Sequence, residues 1–361
     1  MKIVHIASYK DEFFNGIKSV LVDLVPSQRA LGHEIWVLNH EKNEVPVIEG
    51  EQYVGGQKDL KKWIKQINPD IVIFHSLYGL GDVFFSYHLR RMKIPYMVEP
   101  HGGTSLENSK KSRIKKKIAN VLYANSFIKH AQSIIYLNQK EKEECVFSNI
   151  RRCGIVIPNG THLHSNCSRN NSKGKVRFIF IARIDINQKG LDLLFPAIEE
   201  ANTKGLISEA EFHFYGKARQ PQWKKEFELY ISNASPNVQY HGAVDGDDKE
   251  RAYLNSDIFI LPSRYEGMPM AVLEALSYGI PCLLTEQTNL ADVIIGNDCG
   301  WIAETTVESI CGKIFDAVND YKLRHEALHI NALNAAKLFD WESIAQQSIQ
   351  AYSCCLGYPS I

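Results

Sequence analysis

Several features that would define a class at once are missing from this chain. None of its apolar runs approaches the roughly 20 residues that a membrane-crossing helix needs. Its eight cysteines are scattered, with no C-x-x-C pair and only Cys354 and Cys355 adjacent. Neither a disulfide framework nor a zinc site has spacing to support it. Charge of one sign is not in excess, since Lys plus Arg and Asp plus Glu both number 41. That excludes a global field for nucleic acid, so any electrostatic function must be local. No Walker motif, G-x-G-x-x-G fingerprint or internal repeat occurs. The opening Lys2-Ile3-Val4-His5-Ile6 reads as a strand, with no basic and apolar leader pattern ahead of it. A reduced, cytoplasmic setting is the expectation.

What is present suits a globular enzyme of two domains. At 361 residues, with 45% hydrophobic and 23% charged residues, the chain can bury two separate cores. Strand candidates at 3–7, 34–38, 71–74, 96–99, 133–136 and 155–157 alternate with helical patterns, notably 17–31 and 140–147. This alternation predicts an α/β fold with a parallel sheet, whose ligands bind at the carboxyl ends of the strands. Domains are expected at 1–165 and 175–338. The linker falls in the Asn-, Ser- and Gly-rich stretch 164–175, and a last helix covers 339–361.

The second half is organised around residues 261–281. Ile258-Phe259-Ile260-Leu261 is a buried-strand pattern stopped by Pro262. Pro269 suits the start of a helix, and Gly279 with Pro281 suits its end. This frame puts Glu266 in the loop before the helix and Glu274 inside it. The amides of Gly267, Met268 and Met270 offer an anion site reinforced by the helix dipole. A diphosphate on those amides, with carboxylates beside it accepting from hydroxyls, describes a nucleotide-sugar site. A surface turn with solvated glutamates is the alternative.

Other strand ends carry further candidates. Asn15-Gly16 opens a helix after the first strand. His101-Gly102-Gly103 follows the fourth, where a histidine could meet a sugar hydroxyl or serve only structure. Arg183 and Lys189 flank the turn after the first strand of the second domain, where two cations can hold a diphosphate. Gly216, Gly242 and Thr285 follow later strands. Between Thr104 and Asn120 there are six basic residues and one acid. Around Lys110–Lys117 this reads as a basic amphipathic helix suited to anionic lipid, or as an ordinary solvated face.

The spacing P-S-x-x-E-G-x-P-x-x-x-x-E-A-x-x-x-G-x-P, with Glu266 and Glu274 as its E-x7-E pair, resembles the retaining glycosyltransferases of family 4. That resemblance implies a GT-B fold, two Rossmann-like domains facing an interdomain cleft. It implies transfer of a sugar from a nucleoside diphosphate sugar to an acceptor hydroxyl, with no cofactor and no metal. By the same resemblance, Arg183 and Lys189 (Arg-x5-Lys-Gly) clamp the diphosphate, Glu266 orients the sugar and His101 contacts it. Glu274 holds the ribose, with Gly16, Gly216, Gly242, Gly267, Met268 and Pro269 along the donor. Trp341 resembles an anchor by which the closing helix returns to the first domain. Two departures occur: Asn15-Gly16 replaces a glycine pair, and Thr161-His162 replaces Val-Asp after Pro158-Asn159-Gly160. The expected acceptor is a glycan or lipid-linked glycan of a bacterial surface polysaccharide, at the inner membrane face. A non-catalytic binding subunit and a nucleotide-sugar epimerase are the alternatives.

Overall fold

The computed structural model describes residues 1–12, 15–103, 123–147, 154–164 and 174–358. It divides into two compact units, Met1–Gly160 with Trp341–Ile361, and Thr161–Asp340.

In the first unit, β1 (Lys2–Ala7), α1 (Gly16–Ala30), β2 (Glu34–Asn39), β3 (Gln52–Tyr53), α2 (Gln57–Ile67) and β4 (Ile71–Phe74) come first. α3 (Leu80–Arg91), β5 (Tyr96–Val98), α4 (Asn125–His130), β6 (Ile134–Tyr136), α5 (Gln139–Glu143) and β7 (Gly154–Val156) follow. The strands are parallel in the order β3-β2-β1-β4-β5-β6-β7. Because both faces are covered, the central strands are near-continuous apolar runs; β4 is buried throughout. Phe74 meets Tyr96 and Phe127 edge-on in the core, and each such ring contributes about 1.5–3 kcal/mol by leaving water. The helix expected over 140–147 is shorter, Gln139–Glu143. The chain leaves it so that Cys145 and Phe147 can turn into the core.

The second unit contains β8 (Val176–Ile181), α6 (Leu191–Thr203), β9 (Ala210–Tyr215), α7 (Pro221–Asn233), β10 (Val238–Tyr240) and α8 (Gly246–Leu254). After these come β11 (Ile258–Leu261), α9 (Met270–Ser277), β12 (Cys282–Thr285), α10 (Ala291–Gly296), β13 (Gly300–Ala303) and α11 (Val307–Ala336). Its parallel sheet runs β10-β9-β8-β11-β12-β13. Counted from its own first strand this is 3-2-1-4-5-6, the doubly wound order. Stacked Phe178 and Phe212 lie in its core, with Phe195 stacked on Phe214.

The last helix, α12 (Trp341–Leu356), belongs to the first unit and packs on α1. Trp341 is buried, and its indole lies against Gly160, where a Cβ would come within 2.4 Å of the ring. The Pro158-Asn159-Gly160 turn therefore has a packing reason for its glycine. The basic stretch Lys110–Lys117 lies outside the described residues. No described helix is long and apolar enough to cross a membrane.

Candidate active site

In a doubly wound sheet the crevice opens where the strand order reverses. In the second unit that point lies between β8 and β11. The loop after β8 carries Arg183 and Lys189, and the loop after β11 carries Glu266. Lys189 Nζ lies 2.6 Å from Glu266 Oε1, with side chains only 11% and 9% exposed. Ser263 Oγ donates to the same oxygen at 2.7 Å. Such proximity needs the two loops to touch, and Gly190 permits it. Its φ is +66°, and a Cβ there would lie 2.0 Å from the Pro262 carbonyl oxygen.

Hydrogen bonds zip the loops together. Arg264 N donates to Gln188 O at 2.9 Å, and its guanidinium binds Asp192 in a fork at 2.6 and 2.7 Å. From the far side, Asn289 Nδ2 donates to Glu266 O at 2.7 Å, and Glu266 N donates to Gln287 O at 3.0 Å. Arg183 reaches Gln188 Oε1 at 2.8 Å through Nη2. Its Nε is buried with no hydrogen-bond partner among the described residues, a donor still in want of an acceptor.

Glu274 has a separate set of partners. It sits on α9, where Lys249 of α8 approaches it at 2.6 Å and Tyr253 OH donates to it at 2.8 Å. Pro269 is the N-cap of α9, just outside the first turn rather than inside it, and Met268 is buried. At the ends of β9 and β10, Gly216 N donates to Gly242 O at 2.8 Å and Tyr240 OH donates to Gly216 O at 2.8 Å. Tyr215 stacks on His241 beside them. Thr285 does not line a crevice. It is fully buried and donates to Ser263 O at 2.6 Å, so it supports the Glu266 loop from below.

One D-x-D triad is present, Asp245-Gly246-Asp247, a spacing often associated with divalent-metal binding. Here it opens α8, with Asp245 at the N-cap and exposed, and Asp247 exposed in the first turn. Acids there complement the helix dipole.

In the first unit the reversal lies between β1 and β4. Gly16 begins α1 behind Asn15, whose side chain accepts from Lys18 N at 3.3 Å, and there is open space where a Gly16 Cβ would lie. His101 heads a tight turn closed by Gly103 N donating to Pro100 O at 2.9 Å. Its φ of +49° is uncommon for a residue with a Cβ and costs of order 1 kcal/mol or more. Nε2 of His101 lies 2.8 Å from His75 Nδ1. His75 Nε2 in turn lies 2.8 Å from His5 Nδ1. Burial holds the His5 and His101 imidazoles down at about 4, and also lowers His75. Glu99, 3.6 Å from His101 Nδ1, is pushed up to about 8 by burial.

His5 and His75 were not foreseen as part of this region, nor were Lys249, Tyr253 and Gln188. A histidine inside the otherwise apolar run of residues 3–7, and another directly after the strand at 71–74, were the signals available.

Residues 167–330 match the glycosyl transferases group 1, and residues 14–165 match Glycosyltransferase Family 4. The chain belongs to this glycosyltransferase family. An uncharacterized glycosyltransferase of Methanocaldococcus jannaschii is 23% identical over 94% of this chain and 86% of its own length. The N,N'-diacetylbacillosaminyl-diphospho-undecaprenol alpha-1,3-N-acetylgalactosaminyltransferase of Campylobacter jejuni is 26% identical over 81% of this chain and 79% of that protein. The O-antigen chain mannosyltransferase B of Escherichia coli is 34% identical, over 32% of this chain and 30% of its own length. Among solved structures, Anabaena HepE in complex with UDP matches with a TM-score of 0.79 at 16% identity, covering 98% of this chain and 100% of that one. WaaG, a glycosyltransferase involved in lipopolysaccharide biosynthesis, matches at 0.70 and 15%, covering 98% and 100%. The fold is GT-B.

Proposed function

We propose that this protein is a retaining, metal-independent hexosyltransferase that moves a sugar from a nucleoside diphosphate sugar to a hydroxyl of a lipid-linked glycan. The observation that carries the reading is the Lys189–Glu266 pair beside Arg183 at the switch point of the second unit. An ammonium and a guanidinium with an unpartnered Nε suit a diphosphate. A carboxylate set against them suits the hydroxyls of the sugar carried by that diphosphate.

In the reaction, the bond between the anomeric carbon and the diphosphate oxygen breaks as the acceptor oxygen bonds to that carbon. Negative charge grows on the leaving diphosphate, where Arg183 and Lys189 stabilise it more than they stabilise the ground state. The acceptor proton passes to the leaving phosphate oxygen on the same face, which gives retention without a covalent enzyme intermediate. Glu274, held by Lys249 and Tyr253, takes the ribose hydroxyls, and His101 meets a sugar hydroxyl. The undecaprenol-linked acceptor in the name of the Campylobacter relative supports a lipid-linked acceptor here. UDP in HepE supports a nucleoside diphosphate. Surface-polysaccharide assembly at the inner membrane face is the role this reading favours.

Thermal shift against a panel of nucleoside diphosphates and their sugars, in EDTA, tests it. A ligand of the folded state raises the melting temperature by mass action. A rise with one nucleotide, lost in Arg183→Ala, is expected, followed by transfer to a polyprenyl-diphosphate glycan with the anomeric configuration kept. No rise with any nucleotide, or transfer that stops in EDTA, overturns the reading.

A further inference from the structure

Behind His101 runs a buried line of hydrogen bonds that ends on the last helix of the chain. Its far end fixes its direction. Ser348 Oγ donates its one proton to Ala345 O at 2.7 Å. Toward Gln28 that oxygen can therefore only accept, and Gln28 Nε2 donates to it at 2.9 Å. Tyr352, buried on the same helix, meets both Gln28 and Ser348. With its amide nitrogen on that side, Gln28 presents Oε1 to His5 Nε2 at 3.0 Å. An oxygen cannot donate, so His5 carries its proton on Nε2 and has a lone pair on Nδ1.

The same logic repeats at each ring. His5 Nδ1 accepts from His75 Nε2, which leaves His75 Nδ1 as an acceptor. His75 Nδ1 then accepts from His101 Nε2. His5 and His75 are neutral in this arrangement, since a second proton on either would put two protons into one of the contacts. His101 Nδ1 lies outside the line, and burial disfavours a second proton there. His5, Gln28 and Ser348 are fully buried, so no water competes at that end of the line.

We propose that Ser348, Gln28, His5 and His75 form a one-way proton-ordering line that holds His101 as its Nε2–H tautomer and so presents Nδ1 to the donor sugar as a hydrogen-bond acceptor. This rests on the reading of His101 as a donor-sugar contact. The line fixes the proton of the neutral His101 ring on Nε2, and Nδ1, with Glu99 Oε1 3.6 Å away, is then an acceptor for a sugar hydroxyl. Gln28 and His5 are then positioning residues for a reaction they do not touch. The chemistry specified is a neutral hydroxyl donating to Nδ1, beside a Glu99 whose acid form is the one burial favours.

Long-range proton–nitrogen spectra of the full chain, labelled with ¹⁵N-histidine and assigned through single-histidine variants, read the tautomers directly. The expected result is the Nε2–H pattern for His5, His75 and His101, unchanged between pH 6 and pH 8. The Nδ1–H pattern at all three means the line runs the other way and overturns the proposal. So does rapid averaging of both forms, and so does a stoichiometric metal on the purified protein, since His75 Nδ1 and His101 Nε2 cannot share a proton and also ligate.

Gln28→Met removes the acceptor at similar size, and kcat should fall roughly threefold to tenfold, the worth of one oriented hydrogen bond, with little change in donor KM. Gln28→Glu keeps an acceptor facing His5 and should restore most of the rate. Equal rates in all three forms would overturn the positioning role. Failure of the underlying reading is a separate result: His101→Ala without loss of transfer removes His101 from the reaction whatever its tautomer. Loss in His101→Ala with mixed tautomers overturns the proton-ordering line alone.

Discussion

In the second unit the strands flanking the switch point lead to Arg183, Lys189 and Glu266, while in the first they carry His5 and lead to His75. The strand order around both points is the same. The side chains differ in kind: one point holds an ion pair at 2.6 Å, the other a line of imidazoles that burial keeps neutral. Topology chooses where a ligand can sit, and the residues at the strand ends choose what kind of ligand it is. A crevice with two cations and a carboxylate can follow the charge of a diphosphate. A neutral hydrogen-bonded line attracts no anion, but it can hold one ring in one state at about 1 kcal/mol per bond.

Removing the charge on one side only is the sharpest way to break this comparison. Lys189→Met leaves the nearly buried Glu266 with the Ser263 hydroxyl but no cation. Breaking a buried pair costs about 3–5 kcal/mol, and losing a group that stabilises developing charge costs roughly 10²–10³ in kcat. Combining it with Glu266→Leu should return most of the stability and none of the activity. Urea melts of the two variants check the first half, and donor turnover checks the second. A single variant as stable as the parent would show that the pair is not what fills this point.

Gly190→Ala attacks the same point through the backbone. A Cβ there meets the Pro262 carbonyl at 2.0 Å and demands a left-handed alanine, so the loops must part. A penalty of about 2 kcal/mol lowers the melting temperature by about 4–8 °C for a unit of this size. Differential scanning calorimetry should show the loss in the transition of the second unit, with the first unchanged.

These two positions also show what the sequence could reveal. Lys189-Gly190 and the Glu266 loop were legible because charge, glycine and proline fall at spacings that only a strand-turn-helix satisfies. Most strands were legible as short apolar runs bounded by turns. β3 was not, since Gln52–Tyr53 is too short to show alternation. α2 carries Leu60, Ile64 and Ile67 on one buried face, a helical spacing in plain view that its many lysines obscure. The imidazole line was illegible for another reason. Directly bonded members lie up to 320 positions apart, at Gln28 and Ser348, and only the fold brings such residues into register. Thr285 was misjudged because a strand-end threonine reads the same whether its hydroxyl faces a ligand or a backbone carbonyl.

A smaller effect separates the two carboxylates of the E-x7-E pair. Lys249→Met should leave Tyr253 as the partner of Glu274, with a side chain 26% exposed that water can still reach. Stability should then change by less than about 1 kcal/mol, as for other partly exposed pairs. If Glu274 holds the ribose as proposed, donor KM should rise a few-fold with kcat nearly unchanged, because the ribose is far from the bond that breaks. A fall in kcat to match Lys189→Met would put Glu274 at the reaction centre and erase the distinction.

The last test, a pH dependence, concerns the neutrality of the first unit. Glu99 is pushed from its ordinary 4.5 up to about 8 by burial, reinforced by the nearby Glu141. Between those values the unfolded chain has given up the proton and the folded one still holds it. Stability therefore falls as pH rises from 4.5 to 8 and levels off above that. His5 and His101, lowered to about 4, act at the other end. There the unfolded chain gains protons below 6.5 that the folded one refuses, so stability also falls as pH drops from 6.5 towards 4. Glu99→Gln removes the first dependence and leaves the second intact. The melting temperature of Glu99→Gln minus that of the parent should grow steadily from pH 5 to pH 8, by on the order of 10 °C. A constant difference would mean that Glu99 is charged in the folded state, and the neutral line beside it would then have to answer a buried carboxylate with a proton of its own.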